Sequence, residues 1–121
     1  MPFISVSMLP KMPPQKLEKL KHALQEATAG IQELGLEPHQ ITVAYPTDQL
    51  ESPGHEVIAK MDCILDKPER TKAVIERLAE AVKFVLVGFA ANYLLQCQMV
   101  EVFAEVFGNP SKNAVAVWHR P

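Results

Sequence analysis

The stretch Pro2-Phe3-Ile4-Ser5-Val6-Ser7-Met8-Leu9 is the first part of the chain with a regular pattern. From Phe3 onward, Ile4, Val6 and Met8 fall on one side, while the residues between them fall on the other. A period of two residues is typical of a β-strand that buries one face. The stretch therefore predicts a strand that opens directly after a proline.

A helix and a second strand follow this first strand. Lys11-Met12-Pro13-Pro14 interrupts the alternation, and apolar residues then recur every three or four positions. These apolar positions are Leu17, Leu20, Leu24, Ala27, Ile31 and Leu34. Gly35 supplies a stop signal, Pro38 prevents continuation of the helix, and Ile41–Tyr45 is predicted to be the second strand.

The same order then repeats in the second half of the chain. It comprises a strand at Val57–Leu65, a helix from about Pro68 to Asn92, a strand at about Cys97–Phe107 and a short extended piece at Ala114–Trp118. Lys11 and Lys67 stand at the same place in the two halves, just before each helix. The chain is thus predicted to be a duplicated β-α-β unit.

Composition places the chain among compact single domains. Its 121 residues are 48% hydrophobic and 21% charged, which suffices to bury about two thirds of the unfolded surface. We expect one domain at 1–121, with repeat units at about 2–46 and 55–107 and a C-terminal extension at 108–121. A net charge of −2 without a Lys/Arg cluster argues against nucleic acid as a partner.

The cysteine content and the hydropathy pattern indicate the cellular compartment. Cys63 and Cys97 do not form a CxxC motif, and the N-terminus lacks the pattern of a signal peptide. The most apolar run, Phe84–Leu95, is too short to span a bilayer. We therefore expect a cytoplasmic protein with reduced thiols and no membrane partner.

Two β-α-β units with right-handed crossovers predict an α+β fold, a four-stranded mixed sheet with two antiparallel helices on one face. The uncovered face would carry Phe3, Ser5, Phe103 and Phe107, and exposed aromatic residues there favour a homo-oligomer. The ferredoxin-like fold, the dimeric α+β barrel and the tautomerase fold all share this order of elements. The pattern alone does not choose between them.

Pro2 is the candidate catalytic residue. If Met1 is removed, the Pro2 nitrogen becomes a secondary amine, which could act as a general base near neutral pH. The alternative interpretation is purely structural, because proline at the first residue of a strand leaves no ladder hydrogen bond unmade.

The whole chain resembles the tautomerase superfamily. The resemblance lies in the start Met-Pro-Phe-Ile-Ser-Val, the cation before each helix, the duplication and the motif Pro46-Thr-Asp-Gln-Leu. The tail at residues 109–117 looks most like the 5-carboxymethyl-2-hydroxymuconate isomerase branch. The motif at residues 46–50 is similar to the macrophage migration inhibitory factor branch.

This resemblance implies a cofactor-independent homotrimer with active sites between subunits, in which Pro2 moves a proton in an enol or keto acid. Lys11 takes the place of a family arginine that holds the substrate carboxylate, and Lys67 takes the corresponding place in the second half. Tyr45 would line the pocket rim or pack in the trimer. Thr42 stands where several members have an arginine, which favours a smaller or less charged substrate.

Other residue types are predicted to have no chemical role. The four histidines show no HxH or HxxxH spacing, so we expect no metal site. Cys63 falls on the apolar side of its strand and is expected to be a small core residue. Two alternatives to an enzyme stay open: a catalytically silent tautomerase-fold protein, and a ferredoxin-like or barrel module that binds a small molecule.

Overall fold

The computed structural model describes residues 2–47 and 52–121, and within them five strands form one sheet. The elements are β1 at Phe3–Ser7, α1 at Pro14–Ala29, β2 at Thr42–Ala44, β3 at Glu56–Ile64, α2 at Lys72–Tyr93, β4 at Met99–Val106 and β5 at Ala114–His119. Three short 3₁₀ helices lie at Gln32–Leu34, Pro38–Gln40 and Pro110–Lys112.

The strand order is β2-β1-β3-β4-β5. β1 pairs in parallel with β2, and β3 pairs in parallel with β4, so each β-α-β unit keeps its two strands side by side. The units meet through an antiparallel contact between β1 and β3. A ferredoxin-like sheet has another strand between the two strands of a unit, so this topology excludes that alternative.

The predicted α+β class and duplicated unit are confirmed, and the sheet has one strand more than the four predicted. The extra strand is β5, which the sequence indicated only as a short extended piece. It pairs antiparallel with β4 along its whole length. The two helices run antiparallel, because Lys16 near the start of α1 lies 4.6 Å from the ring of Tyr93 at the end of α2.

The core lies between the sheet and the two helices. In β1, Ile4 and Val6 are buried and the residues between them are only half-buried, as the alternation predicts. Met8 is an exception: its backbone has φ +71°, which ends the strand and leaves the side chain 39% exposed. The helices contribute a stripe of buried residues that includes Leu20, Leu24, Ile75, Leu78, Val82 and Leu86.

Both helices are shorter than the periodicity predicts. α1 stops at Ala29, and Leu34 reaches the core from a separate 3₁₀ turn. α2 begins at Lys72 because the Thr71 hydroxyl accepts a hydrogen bond from the Val74 N–H and caps the helix. Apolar spacing does not register such a break, since a 3₁₀ turn and a helix can bury the same side chain.

The expectation that Cys63 belongs to the core is wrong. The register of β3 against β4 shifts between Met61 and Ile64, and both of these residues are buried. Cys63 lies in this irregularity with φ +60° and is exposed. An inserted residue in a strand reverses the alternation beyond it, which simple counting from Val57 misses.

Arg70 is a buried cation that fastens the loop before α2. Only 3% of its surface is exposed, and its guanidinium donates to the carbonyls of Leu65 at 3.0 Å and Leu34 at 2.9 Å. The two carbonyls belong to different β-α-β units. Arg70 therefore joins the end of β3 to the turn that follows α1.

Replacing Arg70 with methionine keeps most of the side-chain volume and leaves the two carbonyls without donors. We expect the free energy of unfolding to fall by about 2–4 kcal/mol, measured by urea denaturation. The matched control is Arg77→Met, since Arg77 pairs with Glu33 at 2.6 Å on the surface and is worth far less. Equal losses in the two variants would contradict the bracing role of Arg70.

The face of the sheet opposite the helices carries no covering element among the described residues. Phe3, Ser5 and Phe103 lie on it half-buried, and Val115 and Val117 are 59% and 41% exposed. No described helix is both long and apolar enough to cross a membrane. The open sheet face therefore leaves apolar residues in contact with solvent in the single chain.

Candidate active site

Pro2 lies at the end of the sheet where β1 begins. It is buried, and its carbonyl accepts a hydrogen bond from the Thr42 N–H at 3.1 Å. On the other side of β1, Phe3 is paired with Asp62 near the end of β3. We call this region, from Pro2 and the start of β2 to the end of β3 and the residues after it, the proline end.

The antiparallel pairing of β1 and β3 decides which predicted site residues share the proline end. Lys67 follows β3 by three residues and therefore lies at the proline end, with its side chain exposed. Lys11 follows β1 and Tyr45 follows β2, so both lie at the opposite end of the sheet. Within one chain, Pro2 and Lys67 share this end of the sheet, whereas Lys11 and Tyr45 lie at the other end.

Tyr45 is held by α1. Its hydroxyl donates to the Leu17 carbonyl at 2.7 Å, and the side chain is half-buried. Burial, followed by the nearby Glu18 carboxylate, raises the pKa of the Tyr45 phenol well above its usual range. The phenol therefore stays protonated, and in this chain it ties β2 to α1.

A second lysine at the proline end is neutralised. Lys112 donates to the Asp66 carboxylate at 2.6 Å, and Asn109 donates to the same carboxylate at 3.0 Å. The hydrogen bond from Lys112, then that from Asn109, lowers the pKa of Asp66 below its ordinary value of 3.8. Lys67, by contrast, has no carboxylate within 4 Å in the part of the chain that the structure describes.

Two large apolar side chains lie beside these charges. Leu65 is 52% exposed and Phe107 is 75% exposed. They are brought together because the Phe107 N–H donates to the Ile64 carbonyl at 2.8 Å. Sequence reasoning assigned Phe107 to the open sheet face and placed neither residue at the proline end, because the register shift in β3 gave no sequence signal.

Asp62 and Cys63 complete the proline end. The neighbouring Asp62 carboxylate raises the pKa of the exposed Cys63 thiol. The thiolate, the nucleophilic form, is thereby disfavoured. Across residues 2–47 and 52–121, no group of three or more His, Cys, Asp or Glu side chains is arranged to hold a metal ion.

Solved structures of tautomerase-superfamily proteins share this fold. A fused 4-OT, solved as an asymmetric trimer, superposes with a TM-score of 0.61 at 12% identity over 87% of this chain and 85% of its own. Macrophage migration inhibitory factor from Toxoplasma gondii gives 0.56 at 13% identity over 88% of this chain and 89% of its own. Malonate semialdehyde decarboxylase gives 0.53 at 13% identity over 88% and 91%.

The protein therefore has the tautomerase fold, as the sequence resemblance implies. No family model matches the sequence, and no curated protein is similar to it in sequence. At these identities the likeness extends to the fold alone, so the chemistry is argued from the residues at the proline end.

Replacing Lys112 with methionine tests the charge balance at this end. We expect the Asp66 pKa to rise toward its ordinary value, measured by NMR titration of the carboxyl carbon. Because folding lowers this pKa, the stabilisation is present above pH 4 and is lost as the pH falls through the native value. The stability difference between wild type and Lys112→Met should therefore shrink in acid to the part contributed by the Lys112 hydrogen bond to the Lys67 carbonyl at 3.3 Å, and a difference that does not shrink would contradict the ion pair.

Proposed function

We propose that this protein is a cofactor-independent tautomerase in which Pro2, freed by removal of Met1, moves a proton within an enol or keto acid. The observation that carries the proposal is the position of Pro2. It is buried at the start of a strand, at one end of the sheet, in a fold shared with tautomerase-superfamily structures.

The proposed reaction needs an amine that moves the proton and a cation that stabilises negative charge, and Pro2 and Lys67 at the proline end supply them. Pro2 moves a proton between the carbon next to a carbonyl and another atom of the substrate: in one step its amine takes a proton, and in the other its ammonium gives one. The enolate that forms between the two steps carries a negative charge. Lys67 stabilises this charge and the substrate carboxylate, because it lies at the same end of the sheet without a carboxylate partner.

The charge inventory favours a substrate with one carboxylate. The three arginines already have partners within the chain. Arg70 donates to backbone carbonyls, Arg77 pairs with Glu33, and Arg120 donates to the Cys97 carbonyl at 2.7 Å. A lysine attracts an anion as a point charge and lacks the bidentate fork of arginine. The exposed apolar side chains of Leu65 and Phe107 suit the remainder of such a substrate.

We also propose that the working form is a cytoplasmic homotrimer. Fused 4-OT structures are described as asymmetric and symmetric trimers. The open sheet face of this chain offers the half-buried apolar surface that such an assembly would cover. Within one chain, Lys11 and Tyr45 lie at the opposite end of the sheet from Pro2. In a trimer, we expect these two residues of one subunit to approach Pro2 of the next.

Pro2→Ala tests the role of the amine. Intact mass first establishes that Met1 is absent from the wild type and the variant. We expect turnover of a simple enol or keto acid such as phenylpyruvate to fall by about 10²-fold or more, since the general base is altered. Pro53→Ala, at an exposed position, is the control and should keep full activity.

Undiminished activity in Pro2→Ala would contradict the mechanism. A wild type that retains Met1 and shows no turnover would instead support the catalytically silent alternative, in which the protein acts by binding or assembly.

Mixed trimers test whether Lys11 or Lys67 acts in the same chain as Pro2. Lys11→Ala and Lys67→Ala should each raise KM for the acid by about tenfold, as expected for one lost charge contact. Trimers refolded from Pro2→Ala and Lys11→Ala chains should regain intact sites, because Lys11 would act across the subunit boundary.

The matched mixture of Pro2→Ala and Lys67→Ala chains should regain none, because Pro2 and Lys67 belong to the same chain. Recovery in that second mixture, without recovery in the first, would reverse the assignment. Sedimentation equilibrium of the wild type checks the trimer itself, and a dimer mass would exclude it.

A further inference from the structure

Asp62 is the carboxylate that the β1–β3 ladder brings beside Pro2. It is paired with Phe3 across the ladder, and Pro2 is the next residue along β1. Directly opposite residues in an antiparallel pair lie about 5 Å apart, and one step along the strand adds about 3.4 Å. Asp62 is half-buried, so solvent screens its charge less than that of an exposed carboxylate.

Asp62 has no cationic partner among the residues of 2–47 and 52–121. Lys60, two residues before it, instead lies 3.7 Å from Glu105 on the neighbouring strand. The adjacent Cys63 does not supply a cation, because the Asp62 carboxylate raises the pKa of its thiol and keeps it neutral. An unpaired carboxylate at the end of the ladder, one position from Pro2, is therefore available to an ammonium at Pro2 once Met1 is removed.

We propose that Asp62 is the counter-ion of the Pro2 ammonium and keeps the resting site protonated. The inference rests on the proposed function, because it requires the free amine. It goes further in two ways. It assigns a positioning residue that sequence reasoning did not identify, and it makes donation of a proton by the Pro2 ammonium the first step of the reaction. The resting enzyme then starts as an acid and acts on the enol form of its substrate.

The proton balance of this step closes without a further reactant. The Pro2 ammonium gives a proton to the carbon of the enol double bond, and a C–H bond forms as the C=C bond breaks. The enol hydroxyl loses its proton, and the C=O bond of the keto acid forms. That proton returns to the Pro2 amine, directly or through water, and restores the ammonium.

The other charged groups near the proline end act differently on Pro2. On β3, the Cys63 thiol is neutral because the Asp62 carboxylate raises its pKa. Lys67 in the loop after β3, and buried Arg70 behind it, both disfavour a proton on Pro2. The short helix before β2 contributes the exposed His39, whereas Glu33 and Lys112 are each held in an ion pair. Asp62 is the one carboxylate on a strand position beside Pro2.

The experiment measures the pKa of the Pro2 amine itself. Wild type, Asp62→Asn and Asp62→Glu are labelled with ¹³C-proline and have Met1 removed, by methionine aminopeptidase where the host leaves it in place. Of the ten prolines, an N-terminal one alone titrates, so its signal identifies itself. We expect Asp62→Asn to lower the amine pKa by about half a unit to one unit, and Asp62→Glu to restore most of it.

Asp66→Asn is the matched control, because Asp66 lies at the same end but is already paired with Lys112. Asp66→Asn should change the pKa of the Pro2 amine by less than Asp62→Asn does. An unchanged amine pKa in Asp62→Asn, or an equal shift in Asp66→Asn, would overturn the proposal. Both readings come from folded protein, which the dispersion of the NMR spectrum establishes for each variant.

Activity separates this inference from the proposed function. With ketonisation of an enol acid as the assay, kcat/KM should fall above the amine pKa, and this limb should move to lower pH in Asp62→Asn. If the amine titrates as expected but no enol or keto acid turns over, the proposed function fails and the counter-ion stands. If turnover depends on Pro2 but the limb does not move, the counter-ion fails and the function stands.

Discussion

The antiparallel pairing of β1 with β3 is the contact on which the rest of the molecule depends. It joins the strands of the two β-α-β units into one continuous sheet. It also reverses the direction of the second unit. The start of β1 therefore meets the end of β3, and the chain's first strand residues meet the loop that precedes α2.

This reversal explains why a symmetric sequence produces an asymmetric site. Lys11 and Lys67 are equivalent in the duplication, yet only Lys67 shares an end of the sheet with Pro2. The opposite end has Lys11 and Tyr45 but no strand-opening proline, since β3 begins within the continuous chain. The duplication thus gives the sheet two similar ends, and Pro2 at the start of β1 distinguishes one end from the other.

The proline end combines features that a stable protein would otherwise avoid. Cys63 holds φ +60°, Leu65 and Phe107 expose apolar surface, and Asp62 lacks a cation among the described residues. The buried guanidinium of Arg70 braces the loop behind them through two backbone carbonyls. Strain and exposure that collect at one braced place are typical of a site that binds a ligand or a neighbouring subunit.

The sequence by itself determined the two β-α-β units, the buried sides of β1 and of both helices, and Pro2 as the residue to test, because periodicity records which side chains leave water. Only the tertiary structure decided that Lys67 lies at the same end of the sheet as Pro2, that Cys63 is exposed and that Asp62 is paired with the first strand. These depend on the direction of pairing between strands and on one register shift. Neither leaves a local trace, since both are set by contacts between residues far apart in the chain.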